Sequence, residues 1–138
     1  MQIFVDANIF LDVQRRRGNW DASYSVLKSV VEGKNRGFAS ALTPAIIYFL
    51  RREVTPEDQA RKDTLDVIAR FNIVDLTDSL IRAAFEEKRV EGFEDAIQFH
   101  SAKQANSILI TRNKKHFQEI SNEIEVLMPE EFLKKYMT

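Results

Sequence analysis

Residues 1–12 read MQIFVDANIFLD, and the fold follows from where the apolar run stops. Gln2-Ile3-Phe4-Val5 is short, mostly apolar and β-prone, so it reads as a strand. It ends on Asp6. A carboxylate at the end of a buried strand is held in one place, and in open α/β sheets ligands bind at the carboxyl ends of the strands. A second such edge lies far along the chain, where Ser107-Ile108-Leu109-Ile110 gives way to Thr111-Arg112-Asn113. Between the two, Phe93-Glu94-Asp95-Ala96 sets two acids at the start of an amphipathic helix. Three distant polar clusters, each at the end of an element, predict a single acidic cleft.

The rest of the chain alternates between helix and strand. Asn8–Gln14 reads as a short helix. Trp20, Tyr24, Leu27, Val30 and Val31 are spaced for a helix over roughly Asp21–Glu32. Gly33 and Gly37 bracket a turn before a strand at Phe38-Ala39-Ser40. Thr43 with Pro44, and Thr55 with Pro56, read as two helix starts, the hydroxyl capping free N–H groups and the proline fitting the first turn. The first of these helices carries Ile46, Ile47, Phe49 and Leu50, and the second runs to about Arg70. A strand at Phe71–Val74 follows, then a helix capped by Thr77 or Asp78. Further helices are predicted over Glu94–Ala105 and from Pro129, with strands at Ser107–Ile110 and Glu125–Leu127. Strands joined through helices make right-handed parallel crossovers. The expected architecture is a three-layer α/β domain with a central parallel sheet of about five short strands flanked by helices.

A chain of 138 residues suits a single domain over 1–138. The formal net charge of -1 provides no global attraction for nucleic acid, so any such binding needs a local patch. Cysteine is absent, which excludes disulfides and thiolate metal sites. The N-terminus lacks a signal-peptide pattern, and no apolar stretch approaches the ~20 residues that span a bilayer. The expectation is a cytoplasmic protein with no membrane association.

Taken together, Val5-Asp6-Ala7-Asn8-Ile9-Phe10-Leu11-Asp12, Phe93-Glu94-Asp95-Ala96-Ile97-Gln98 and Ile108-Leu109-Ile110-Thr111-Arg112-Asn113, with Phe117 behind, resemble the PIN domain family over nearly the whole chain. The resemblance implies Mg²⁺- or Mn²⁺-dependent hydrolysis of RNA or other single-stranded nucleic acid. It also implies a toxin role beside a small antitoxin protein, and a homodimer. The family site is a set of three or four acids. Asp6 matches the first and Asp95 the third. The second, usually a glutamate, falls on Ile46, and the fourth, often an aspartate, falls on Asn113.

Two carboxylates suffice for one ion, because Mg²⁺ takes one or two carboxylates plus waters and substrate phosphate oxygens. Asp6 and Asp95 are the candidate metal ligands, and with Asn113 they form the candidate catalytic set. Asn113 would orient a bound water or ligate through its carbonyl. Asn8, Asp12, Glu94 and Thr111 are candidates for supporting or substrate contacts. Arg15, in the Arg15–Arg17 run, Arg112 and Lys114 are candidates for gripping phosphates.

Each residue also has a plainer reading. Asp6 is a good N-cap. Asp95 and Glu94 gain from a helix N-terminus wherever they stand, and Asn113 is a common turn residue. Asp12 is exposed or pairs with Arg15. His100 and His116 read as surface residues, and Trp20 and Tyr24 as core or dimer packing. Two functions remain in view: a metal-dependent ribonuclease, and a PIN-like binding module that has lost turnover. A nucleotide-binding regulator is disfavoured, because Asp6-Ala7-Asn8-Ile9 is no glycine-rich phosphate loop.

Overall fold

Strand β1 (Gln2–Val5) sits at the centre of the sheet, and its alternating side chains divide the molecule into two halves. In a computed structural model describing residues 1–138, Ile3 and Val5 point into one core and Phe4 into the other. The remaining elements are α1 (Ala7–Arg15), α2 (Trp20–Val31), β2 (Arg36–Ser40), α3 (Leu42–Arg52), α4 (Glu57–Ile68) and β3 (Phe71–Val74), followed by α5 (Asp78–Glu86), α6 (Phe93–Gln104), β4 (Ile108–Ile110), a 3₁₀ helix (Lys114–Ile120), β5 (Val126–Leu127) and α7 (Pro129–Tyr136).

All strand pairings are parallel, in the order β3-β2-β1-β4-β5, as the alternation of helix and strand predicts. The chain builds outward from β1 to β3, then crosses back to start β4 on the other side of β1. The gap between the ends of β1 and β4 is therefore the topological switch point, where open α/β sheets bind ligands.

Each face of the sheet carries a core. On one, Ile3, Val5 and Ile110 pack with Ile9 and Phe10 of α1, Val26 and Val30 of α2, Ile47 of α3 and Phe132 of α7. On the other, Phe4 and Leu109 pack with Leu80 and Ala84 of α5, Ala96, Ile97 and Phe99 of α6, and Phe117 and Ile120 of the 3₁₀ helix. Burial at about 25 cal/mol per Å² of apolar surface makes these two layers the main stabilising term. No helix is long and apolar enough to cross a membrane.

Several local expectations are corrected. The second strand begins at Arg36, so Gly37 lies inside it. A Cβ there would meet Val30 Cγ1 at 2.7 Å and the Phe71 ring at 2.8 Å, so glycine lets α2 and β3 close on the strand. Thr43 does not cap α3. The helix starts one residue earlier, the Leu42 N–H is capped by Ser40 Oγ at 3.1 Å, and Thr43 is buried within the first turn. Thr55 does not cap α4 either: its hydroxyl donates to the Arg51 carbonyl at 2.9 Å, closing the end of α3. Helix α4 ends at Ile68, short of Arg70. Thr77 does cap α5, accepting from the Leu80 N–H at 3.2 Å. Tyr24 and Val31 are exposed, so the apolar stripe of α2 is narrower than its spacing suggests.

Candidate functional site

Asp6 stands at the end of β1, where its backbone N–H donates to the Ile110 carbonyl at 3.0 Å and extends the β1–β4 ladder by one bond. Its carboxylate then turns toward α1. Oδ1 accepts from the Asn8 N–H at 3.3 Å, so Asp6 is indeed the N-cap of α1. Oδ2 accepts from the Thr111 hydroxyl at 2.7 Å. Both groups are buried, Asp6 at 1% exposure and Thr111 at 0%. The N-cap role and the buried acid are thus the same residue.

Burial is the largest influence on this carboxyl, and it opposes ionisation. Hydrogen bonds from Thr111 and Asn8 work the other way, and the charges of Asp95 and Glu94 add to the burial effect. The balance pushes the Asp6 pKa up to about 6. Asp95 and Glu94, whose charges act on Asp6, both lie in the first turn of α6. The two distant acidic stretches share one field.

Asp95 lies in the first turn of α6, with its side chain 19% exposed, and Oδ2 meets His116 Nδ1 at 2.9 Å. Gly92 precedes the helix at φ +84, a conformation that favours glycine and turns the chain into α6. Glu94 is exposed. Asn113 ends the Thr111 turn, and its N–H donates to Thr111 Oγ1 at 3.1 Å. Thr111 thus links two site strands: it donates to Asp6 and accepts from Asn113. Asn8 sits beside Asp6 and contributes its backbone N–H.

Other candidates are engaged elsewhere. Asp12 is buried and pairs with Arg17 at 3.0 Å and with Arg112 Nε at 3.4 Å, not with Arg15. Arg112 is not free for phosphate. Its guanidinium donates to Glu130 Oε1 at 2.7 Å, the Asn19 carbonyl at 2.6 Å and Ser23 Oγ at 3.1 Å. Lys114 Nζ is shared between both Glu131 carboxylate oxygens at 3.0 Å. Arg15 is exposed on the last turn of α1. Ile46 packs against the core on the α1 side of the sheet.

Of the two histidines, only His100 departs from the expected surface position. His100 is partly buried, its Nε2 3.0 Å from Glu87 Oε1. His116 stays exposed but touches Asp95 from a 3₁₀ helix that had no sequence signature. That helix has 3.0 residues per turn, so the 3.6-residue period is missing. The one available clue was the proximity of His116 to Asn113.

Replacing Thr111 by Val preserves shape and removes the hydroxyl. The ionised Asp6 then loses its shortest hydrogen bond, and the Asn113 N–H loses its acceptor. We expect a stability loss of about 1–3 kcal/mol at pH 7 and a smaller one at pH 4, where Asp6 is protonated; urea denaturation at the two pH values measures both.

A five-stranded parallel sheet with helices on both faces and a buried Asp6 at its switch point defines the open α/β class, in which ligands bind at the strands' carboxyl ends. Within that class the family is clear: a PIN domain model matches residues 3–123, and the chain belongs to the PIN domain family. No curated protein sequence matches it. Solved structures with the same fold include VapBC-1 from nontypeable Haemophilus influenzae, at 18% identity and TM-score 0.70, covering 94% of this chain and 99% of that one. VapBC2 from Rickettsia felis, bound to a DNA fragment from its promoter, aligns at 19% identity and TM-score 0.68, covering 91% and 97%. A toxin–antitoxin complex from Klebsiella pneumoniae aligns at 20% identity and TM-score 0.68, covering 92% and 97%.

Proposed function

We propose that this chain is a metal-dependent endoribonuclease, acting as the toxin of a toxin–antitoxin pair, with a cleft that holds one Mg²⁺ or Mn²⁺ weakly. The observation that carries this reading is Asp6: a fully buried carboxyl, under the influence of Asp95 and Glu94, at the switch point of the sheet. An acid whose ionisation is opposed by burial and by two like charges regains its charge when a cation arrives. The donor set suits one hard ion. No three His, Cys, Asp or Glu side chains come together as a metal cluster, so a two-ion clamp does not fit these residues.

Asp6 and Asp95 would hold the ion, which when bound supplies a Lewis acid and lowers the pKa of a bound water. The chain's own residues do the rest. Thr111 fixes the Asp6 carboxylate through its hydroxyl. Its hydroxyl oxygen also accepts from the Asn113 N–H and fixes the backbone there, and the Asn113 amide would orient a water. His116 Nδ1 meets Asp95 Oδ2 and holds that carboxylate in place. The test is cleavage of a short RNA by the full chain with Mn²⁺, beside an Asp6→Ala control; equal cleavage by both proteins sinks the proposal.

The antitoxin and a homodimer belong to the same reading. The neighbouring toxin–antitoxin complexes support a protein partner. An apolar groove of about 390 Å³ between α1, α2, α3 and α4, lined by Phe10, Val13, Leu27, Ile47 and Val67, is a surface such a partner would fill.

A second reading, a PIN module without turnover, is favoured by Ile46 and Asn113 at positions where the family usually has acids. Restoring both, as Ile46→Glu with Asn113→Asp, is expected to tighten Mn²⁺ binding by about tenfold or more, read by calorimetry. The substitution at Ile46 costs packing on the α1 side, so each protein's fold is checked by circular dichroism. No gain in a folded double variant removes the support for a degenerate site.

A further inference from the structure

One buried side chain of α6 has no bonding partner. Gln98, in the second turn, is fully buried, and neither its amide oxygen nor its amide nitrogen makes a hydrogen bond. Buried polar groups are paired almost without exception, because an orphaned one carries its full desolvation penalty. As plain core filling an amide is a poor choice, since Met occupies the same space without that cost. Thr43 and Ser101 also bury an unpartnered hydroxyl, but a hydroxyl within a helix can turn to a carbonyl of the preceding turn. The longer amide, with donors and an acceptor to satisfy, looks outward from its own helix.

Register sets that amide against the polar end of the sheet. Phe38, Phe4 and Leu109 lie side by side on β2, β1 and β4 and share the core on the α6 side. Two residues further along each strand, on the same face, come Ser40, Asp6 and Thr111, all buried. The ladder continues through this row: Asp6 donates to the Ile110 carbonyl and Thr111 to the Leu127 carbonyl. Helix α6 packs on this face through Ala96, Ile97, Phe99 and Ala102. It ends at Gln104 and feeds β4 at Ile108, so it runs antiparallel to the strands, with its first turn at their carboxyl ends. Gln98 follows Asp95 by three residues and Glu94 by four, which puts the three on one side of the helix. Helical side chains lean toward the helix N-terminus. The amide is thereby directed from the second turn toward the edge where the charges of Asp95 and Glu94 act on Asp6.

We propose that Gln98 is a further residue of the cation site, its amide oxygen taking a place in the oxygen shell of the ion held by Asp6 and Asp95, directly or through one of the ion's waters. The proposal rests on the metal-dependent reading above. Carbonyl oxygens suit Mg²⁺ and Mn²⁺ as carboxylates do, and Mg²⁺ keeps several neutral oxygens around it. Ile46 offers no oxygen from the α1 side of the sheet, and Gln98 offers one from the other. Being neutral, it adds no like charge beside a carboxyl whose ionisation burial already opposes.

Titration calorimetry with Mn²⁺ on the full chain, with no RNA present, tests this. Asp6→Ala identifies the site. Gln98→Met keeps length and volume and removes both polar ends. It should bind Mn²⁺ about tenfold or more weakly, while its melting temperature without metal stays level or rises, because the orphaned atoms are gone. Gln98→Glu keeps an oxygen at the same reach and should bind at least as tightly as wild type. The proposal is overturned by a Gln98→Met that binds Mn²⁺ like wild type, or by Gln98→Met and Gln98→Glu being equally weak. It is overturned too by a Gln98→Met that melts well below wild type, which would make the amide a support of the fold. The two readings fail separately. Binding that Asp6→Ala leaves intact ends the cation site and the place of Gln98 in it, whereas Asp6-dependent binding indifferent to Gln98→Met ends only the role of Gln98.

Discussion

Asp6→Asn is expected to reduce Mn²⁺-dependent RNA cleavage by about 10³-fold, several kcal/mol of transition-state stabilisation, and at the same time to make the protein more stable at neutral pH. The first effect follows from removing the charge that draws the cation. The second follows from the cost of keeping that charge where it is. A carboxyl held at about 6, against 3.8 for its ordinary value, binds its proton more tightly in the folded state than in the unfolded one. Ionising it therefore costs the fold about 3 kcal/mol. The sign is set by the same comparison. Below pH 3.8 both states hold the proton and Asp6 adds no pH dependence. Between pH 3.8 and about 6 the unfolded state loses its proton first, so stability falls as pH rises, and above that window the full cost is present.

The uncharged amide avoids this cost and keeps an oxygen for the Thr111 hydroxyl. The variant should gain about 1–3 kcal/mol at pH 7.5, with the gain shrinking toward zero at pH 4. Urea denaturation across pH measures this directly. Added Mn²⁺ should raise the melting temperature of the wild type by mass action and leave the variant unmoved. Equal stability of the two proteins at pH 7.5 would show that the buried carboxyl is not strained. A site acid that lowers stability is the expected trade between activity and fold.

The parallel sheet was readable because its signals are local. Gln2–Val5 and Ser107–Ile110 are uninterrupted β-prone runs, and each is followed by polar residues that a buried strand cannot tolerate. Helix spacing between them then leaves only parallel crossovers. The meeting of Asp6 with Thr111 follows from that topology, although the hydroxyl's short bond to Oδ2 does not. The misplaced features share a cause: each depends on a contact set by tertiary packing. Thr43 and Thr55 both precede proline in the pattern of a cap, yet Ser40 caps α3 and Thr55 serves the helix before it. Arg112 looked like a phosphate ligand from its place in the site motif, but α2 and α7 surround it with acceptors that sequence distance conceals. His116 and Asp95 are 21 positions apart and meet only because the 3₁₀ helix packs beside α6.

Arg112→Ala is expected to cost about 2–4 kcal/mol of stability at neutral pH. The guanidinium joins three separate pieces of chain: Asp12 of α1, Asn19 and Ser23 at the start of α2, and Glu130 of α7. Its Nε faces Asp12 at 3.4 Å without hydrogen-bond alignment, so that contact is a charge pair only. Burial is the largest influence on Glu130 and works against ionisation, but the hydrogen bond from Arg112 and one from the backbone outweigh it and leave the carboxyl below its ordinary value. Removing the arginine orphans the Glu130 carboxylate, at 37% side-chain exposure, while Asp12 keeps its pair with Arg17 at 3.0 Å. The partial exposure of Glu130 puts the loss at the lower side of what a fully buried pair would cost. The sign of the pH dependence is opposite to that at Asp6. Because Glu130 is held below its ordinary value, its stabilising contribution is complete above that value and disappears as pH falls through the folded one. The deficit of the variant should therefore be largest near pH 7 and shrink in acid, where the orphaned Glu130 takes up its proton. Arg112→Lys should recover only part of it, since one ammonium cannot reach Glu130, Asn19 and Ser23 in the geometry of the planar fork. A variant as stable as wild type at pH 7 would mean that α2 and α7 are held by their apolar faces alone.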